Sequence, residues 1–174
     1  MDDADAQLAV ELRLIYEREV FINPPVTRQW VSIKVFALPG DVEDQTALAW
    51  MIAHVRYRDS YASSTFVDAK TIHGPYQLSA ITPHVFIVAD SDDVDALIRT
   101  WSACYVRWPD ADVDAMQREV YARTNQATVI YQLPDIRATA RHDWGDVVGR
   151  DGFHEFVIID RAASELALLV ASDD

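Results

Sequence analysis

Residues 153–173 read FHEFVIIDRAASELALLVASD. Two runs rich in β-branched, aromatic and other apolar residues flank the small polar tetrad RAAS at 161–164. Their length and composition predict two strands, about 154–160 and 165–171, joined as a hairpin. Such a short connection closes an antiparallel pair, whereas parallel strands need a long crossover. The reading of this stretch therefore points away from an alternating βαβ chain and toward an α+β fold.

Upstream of the hairpin, ATVIYQL at 127–133 reads as a further strand. PHVFIVADSDDVDALIRTWSACYVRWP at 83–109 is a strand from about His84 to Ala89, followed by a helix. Asp90 or Ser91 is placed to cap that helix, and Val94, Leu97, Ile98, Trp101 and Tyr105 share its apolar face. Pro109 ends it, and DADVDAMQREVYART at 110–124 begins a second helix with Val113, Met116, Val120 and Tyr121 inward. Gln29–Ala37 alternates as a strand, Val31, Ile33 and Val35 against Trp30, Ser32, Lys34 and Phe36.

Two segments are less direct. ADAQLAVELRLIYERE at 4–19 has helical spacing at Leu8, Leu12, Ile15 and Tyr16, and its acidic start suits a helix N-terminus. Residues 46–58 fit either element: Leu48, Met51, Ile52 and Val55 fit a helix, while HVRYRDS alternates. The β-branched and aromatic content of 64–72 favours a hairpin, 50–58 with 64–72. The whole predicts one α+β domain over 1–174. Its antiparallel or mixed sheet carries three or four helices and ends in the C-terminal β-hairpin.

The chain has 174 residues and a formal net charge of −13, from 28 acidic against 15 basic residues. That field repels phosphate backbones, so nucleic acid is not an expected partner; it favours encounter with a basic protein. The most apolar window, TALAWMIAHV at 46–55, is about half the length of a membrane span, and the acidic N-terminus lacks the basic start of a secretory signal. No membrane partner is expected, and the localisation expected is cytoplasmic. The lone Cys104 allows no intrachain disulfide; its apolar helical setting predicts a buried, inert thiol.

The common catalytic and metal-binding motifs do not match this sequence. Asp110, Asp112 and Asp114 match three positions of a calcium loop, but Ala115 and Tyr121 stand where Gly and Glu are required. The acids at 90–95 fail similarly, with Asp95 and Trp101 at those places; both clusters suit helix N-termini instead. The phosphate-binding glycine patterns, the GxSxG elbow and HExxH are missing from the sequence. His54, His73 and His84 fall at element boundaries and read as boundary or surface residues. No catalytic residue and no cofactor is assigned.

The richest remaining stretch is HDWGDVVGRDGFHEFVIID at 142–160, fed by an irregular connection from about Pro134. His154 and Glu155 are neighbours on a strand and must point to opposite faces. A site could join His142 or Asp143 of the loop with His154 or Glu155 of the strand, His142 and His154 being the candidate metal ligands, but that gives two groups where zinc needs three or four. Asp143, Trp144, Asp146 and Asp151 are the candidate partner-binding residues, with 90–95 and 110–114 as a second acidic patch. The expected function is a soluble acidic binding protein, of the immunity or antitoxin type, engaging a basic protein partner. The alternatives are a metal-assisted hydrolase using 142–155 and a small-ligand regulatory domain with a pocket between helices and sheet.

Overall fold

The computed structural model describes residues 13–140 and 152–173. The strands are β1 (Ile15–Ile22), β2 (Gln29–Ala37), β3 (Ile72–His73), β4 (Tyr76–Gln77), β5 (Ile87–Ala89), β6 (Val129–Leu133), β7 (Phe153–Asp160) and β8 (Glu165–Asp173). The helices are α1 (Asp44–Ala53), α2 (Ser91–Ser102), α3 and the short α4 (Arg137–Ala140). In α3, Asp110–Met116 continues through a π-helical turn, Gln117–Tyr121, into Ala122–Gln126. Six strands form one sheet in the order β1-β2-β8-β7-β6-β5, antiparallel throughout. The fold is α+β, and β7 and β8 form the C-terminal hairpin in register from Phe153↔Ser172 to Asp160↔Glu165.

The sheet is covered on both faces, so its central strands are apolar on both. Val31, Ile33 and Val35 pack with Phe156, Ile158 and Leu169 under α2 and α3, which supply Ile98, Trp101, Met116 and Val120. Trp30, Phe36, Val157, Leu168 and Val170 face the other way, under Leu48 and Met51 of α1 and the irregular 54–82 segment, which supplies Tyr57, Tyr61, Tyr76 and Ile81. The alternation expected of β2 holds, with a buried residue at every position from Gln29 to Phe36. Asp90 caps α2, its carboxylate accepting from the backbone N–H groups of Asp92 and Asp93.

Three expectations are corrected. Residues 15–19 are strand, not helix: β1 pairs with β2 from Ile15↔Ala37 to Ile22↔Val31 across an irregularity between Tyr16 and Arg18. Ladder pairing on the sheet edge overrides the local helical spacing, and Ile15, assigned to the apolar stripe, is exposed. The rest of that predicted helix, 4–12, lies outside the described residues. The hairpin of 50–58 with 64–72 is replaced by α1 and a 3₁₀ turn at Val55–Tyr57. Ala47, Leu48 and Met51 bury as one helical face, and the would-be second arm keeps a bridge between Asp59 and Asp68 and, at Ile72, the start of β3. The strand placed at 84–89 contracts to Ile87–Ala89 behind a 3₁₀ turn at Pro83–Val85.

Candidate functional site

A dense group of buried ionisable side chains lies beneath the 54–82 segment. Lys34 of β2 is fully buried, its Nζ 2.7 Å from Asp59 Oδ2 and donating at 2.8 Å to the Arg56 carbonyl. It also sits 4.5 Å from the centre of the Tyr61 ring. Burial pulls the Lys34 ammonium down from its usual range, and Asp59 opposes that shift. Asp59 Oδ1 accepts from the backbone N–H of Tyr61, which is held at φ +58°. For a bulky residue this is a strained conformation, offset here by stacking on Trp30 at 5.2 Å.

Beside this pair, His73 Nε2 lies 2.9 Å from Glu155 Oε2, both side chains fully buried, and Tyr57 stacks on the imidazole at 3.8 Å. His73 Nδ1 is hydrogen-bonded to the Tyr57 carbonyl, which can only accept, so Nδ1 carries a proton. One further proton must then lie between Nε2 and Oε2. Whether it rides on imidazole or carboxyl, the pair has no net charge. Glu155 Oε1 and the Tyr57 hydroxyl are both buried, and Glu155 is the side chain that interacts with that hydroxyl. Burial above all raises the Tyr57 hydroxyl well above the usual tyrosine range. His73 does stand at an element boundary, the end of β3, but it is a fully buried hydrogen-bonded histidine and not a surface residue. Lys34, Asp59, Tyr57, Tyr61, His73 and Glu155 are each at most 4% exposed, so the cluster is closed to a substrate and serves to pin the irregular segment to the sheet.

The predicted site residues fare unevenly. His142, Asp143, Trp144, Asp146 and Asp151 lie outside the described residues. His154 and Glu155 do take opposite faces: Glu155 enters the cluster above, while His154 lines a shallow hollow of about 400 Å³ with Trp101 and Cys104. Those two therefore cannot share an ion. Among the described residues, no three His, Cys, Asp or Glu side chains are grouped to hold a metal, and no helix is long and apolar enough to cross a membrane. Cys104 is exposed rather than buried, because α2 ends at Ser102 and the chain turns outward there; its thiol donates to the Thr100 carbonyl at 3.3 Å. The acids at 90–95 and 110–114 do not form one patch. Thr124, at the end of α3, donates to Asp95 at 2.5 Å, so α2 and α3 run antiparallel and hold their acidic N-termini at opposite ends.

An accessible site is built between those two helices. Arg99, Ser102 and Ala103 of α2 and its exit, Val106, Arg107 and Trp108 of the connection, and Val113, Met116, Gln117 and Tyr121 of α3 enclose an open groove of about 420 Å³. In a chain with nearly twice as many acids as bases, the groove lining includes two arginines and no carboxylate. The Arg99 guanidinium lies 3.7 Å from the centre of the Tyr121 ring and has no carboxylate partner among the described residues. Arg107 is 3.1 Å from Asp110, both highly exposed at the rim. Burial raises the Tyr121 hydroxyl, with Arg99 pulling the other way. Trp108 and Met116 form an apolar floor, and Val113, expected to be inward, is 41% exposed because it opens onto the groove. The π-helical turn, a feature frequent at functional sites, delivers Gln117 and Tyr121 to the wall. Of the residues expected inward on this helix, Val113, Met116 and Tyr121 line the groove; Gln117 and Arg99 carry no such sequence signal.

Comparison of the chain with protein-family models, with curated proteins and with solved structures finds no match.

Proposed function

We propose that this protein binds a small molecule in the groove between α2 and α3, and that the ligand joins a negative charge to a flat apolar body. The observation that carries the reading is the composition of the groove: two arginines, no carboxylate, and an apolar floor, in a protein of net charge −13. A guanidinium already lying on an aromatic face offers its edge to a carboxylate or sulfonate, while the ligand's body covers Trp108 and Met116. The volume suits a ligand of one or two rings.

The test uses two probes of nearly the same shape, anionic 1-anilinonaphthalene-8-sulfonate and neutral N-phenyl-1-naphthylamine, titrated by fluorescence. The anionic probe binds more tightly, and Arg99→Ala removes that preference by weakening the anion roughly tenfold, the loss of one charged hydrogen bond. Equal affinity of the two probes, or an Arg99→Ala variant that binds both as before, overturns the proposal.

A second reading, the basic protein partner expected from composition, is favoured by the charge of −13 and by the exposed Asp92, Asp93 and Asp114. An immunity or antitoxin-type complex of this kind forms at low salt and weakens steeply as salt rises. Affinity capture from the native host that recovers no salt-released basic protein removes it.

A further inference from the structure

Gln29 is fully buried at the start of β2, on the same sheet face as Val31 and Ile33, and no hydrophobic reason places an amide there. Its side chain spans the two ends of the segment that walls the groove. Nε2 donates to the Trp101 carbonyl at 2.6 Å, in the last turn of α2, and Oε1 accepts from the Trp108 indole Nε1 at 3.0 Å. One register step across the sheet, Gln29 faces Asp173, whose Oδ2 accepts from the Tyr105 hydroxyl at 3.1 Å. The connection 103–108 is thus fastened to the end of the sheet at Trp101, Tyr105 and Trp108. Trp108 is 5% exposed, with its ring edge-on to Trp101 at 5.9 Å.

We propose that Gln29 is the positioning residue of the groove: by holding the Trp108 indole N–H from beneath, it keeps that ring flat as the apolar floor on which the ligand's body lies. This rests on the groove reading above. Glutamine suits the task because one amide supplies a donor and an acceptor at a fixed separation; glutamate lacks the donor and leucine lacks both. Without the amide, the indole N–H is left buried and unsatisfied, a costly state that the ring escapes by turning toward the groove and its water. The turned ring occupies the space of the ligand.

The role separates from that of Arg99 by what it changes. Gln29→Leu weakens the anionic and neutral probes in the same proportion, by about tenfold, the cost of one orphaned buried donor. Arg99→Ala weakens the anionic probe alone. In a Trp108→Phe background, which has no indole N–H to orphan, Gln29→Leu causes no further loss. Independently of any variant that fails to fold, the Trp108 indole proton of the unaltered protein exchanges slowly with solvent and remains protected with either probe bound. Fast exchange of that proton, or additive losses for Gln29→Leu and Trp108→Phe, overturns the inference. If instead the unaltered protein shows no preference for the anionic probe, it is the groove reading that falls.

Discussion

Replacing Lys34 by methionine asks what the sealed cluster is worth. Methionine matches the length and apolar body of the lysine stem, so the change removes chiefly the ammonium. Asp59 keeps the Tyr61 backbone N–H on Oδ1 but loses its cation on Oδ2, and the Arg56 carbonyl loses a donor. Breaking a buried ion pair from one side costs about 3–5 kcal/mol, because the remaining charge is stranded out of water. That is roughly two to three and a half decades in the unfolding constant. With a slope of about 2 kcal/mol/M, the urea midpoint falls by about 1.5–2.5 M. Trp30, stacked on Tyr61 beside the pair, makes tryptophan fluorescence a fitting probe, with far-ultraviolet circular dichroism as the second. Adding Asp59→Asn to Lys34→Met removes the stranded charge and keeps an oxygen for the Tyr61 N–H, so the double variant recovers more than half of the loss. A Lys34→Met cost below about 1 kcal/mol, or a double variant no more stable than the single, refutes the assignment of this pair as a structural pin.

Stability falls on the acid side. Asp68 is held well below the usual carboxylate range by hydrogen bonds from Arg58, then from the Lys70 backbone N–H, and Arg137 similarly depresses Asp135. A depressed carboxyl contributes stability above its unfolded value near 4, and the contribution is lost as pH falls through the folded value. His54 acts in the same direction: burial lowers it below 6.5, so the unfolded chain takes up its proton first as pH drops. Urea midpoints measured from pH 7 to pH 3 therefore decline, and Asp68→Asn flattens the part of that decline near pH 4; an unchanged profile counts against the Arg58–Asp68 contact. Gly74 stands at φ +51°, and a Cβ there meets the Phe153 ring at 2.5 Å. Gly74→Ala consequently costs about 2–4 kcal/mol from left-handed strain and overpacking, read as a lowered melting temperature, whereas Gly40→Ala, with open space around it, changes little.

What was legible in the sequence was local. The β7–β8 hairpin declares itself through a four-residue turn between two apolar runs, and α2 through Asp90 and the spacing Val94, Ile98, Trp101. Each rests on neighbours within one or two turns. The misread elements depend on distant partners: Ile15–Ile22 becomes strand because β2 offers an edge, and Asp44–Ala53 becomes helix because the sheet face offers a floor for Leu48 and Met51. The cluster was invisible for the same reason. His73 meets Glu155 across 82 positions and Lys34 meets Asp59 across 25, with no spacing rule to connect them. The groove was half legible: its α3 wall follows helical spacing, but Arg99 and Trp108 join it only through the antiparallel packing of α2 and α3 and the hold of Gln29.

A closed polar core holds the fold, and the open arginine-lined groove is the proposed ligand site. The most direct measurement is a two-dimensional NMR titration with 1-anilinonaphthalene-8-sulfonate, following tryptophan indole and arginine Nε signals assigned by single substitutions. With the ligand in the groove, Arg99 and Trp108 move together and saturate at one affinity, while Trp30, on the opposite sheet face, stays in place. Saturable shifts centred on other residues, with Arg99 and Trp108 unmoved, would contradict that placement.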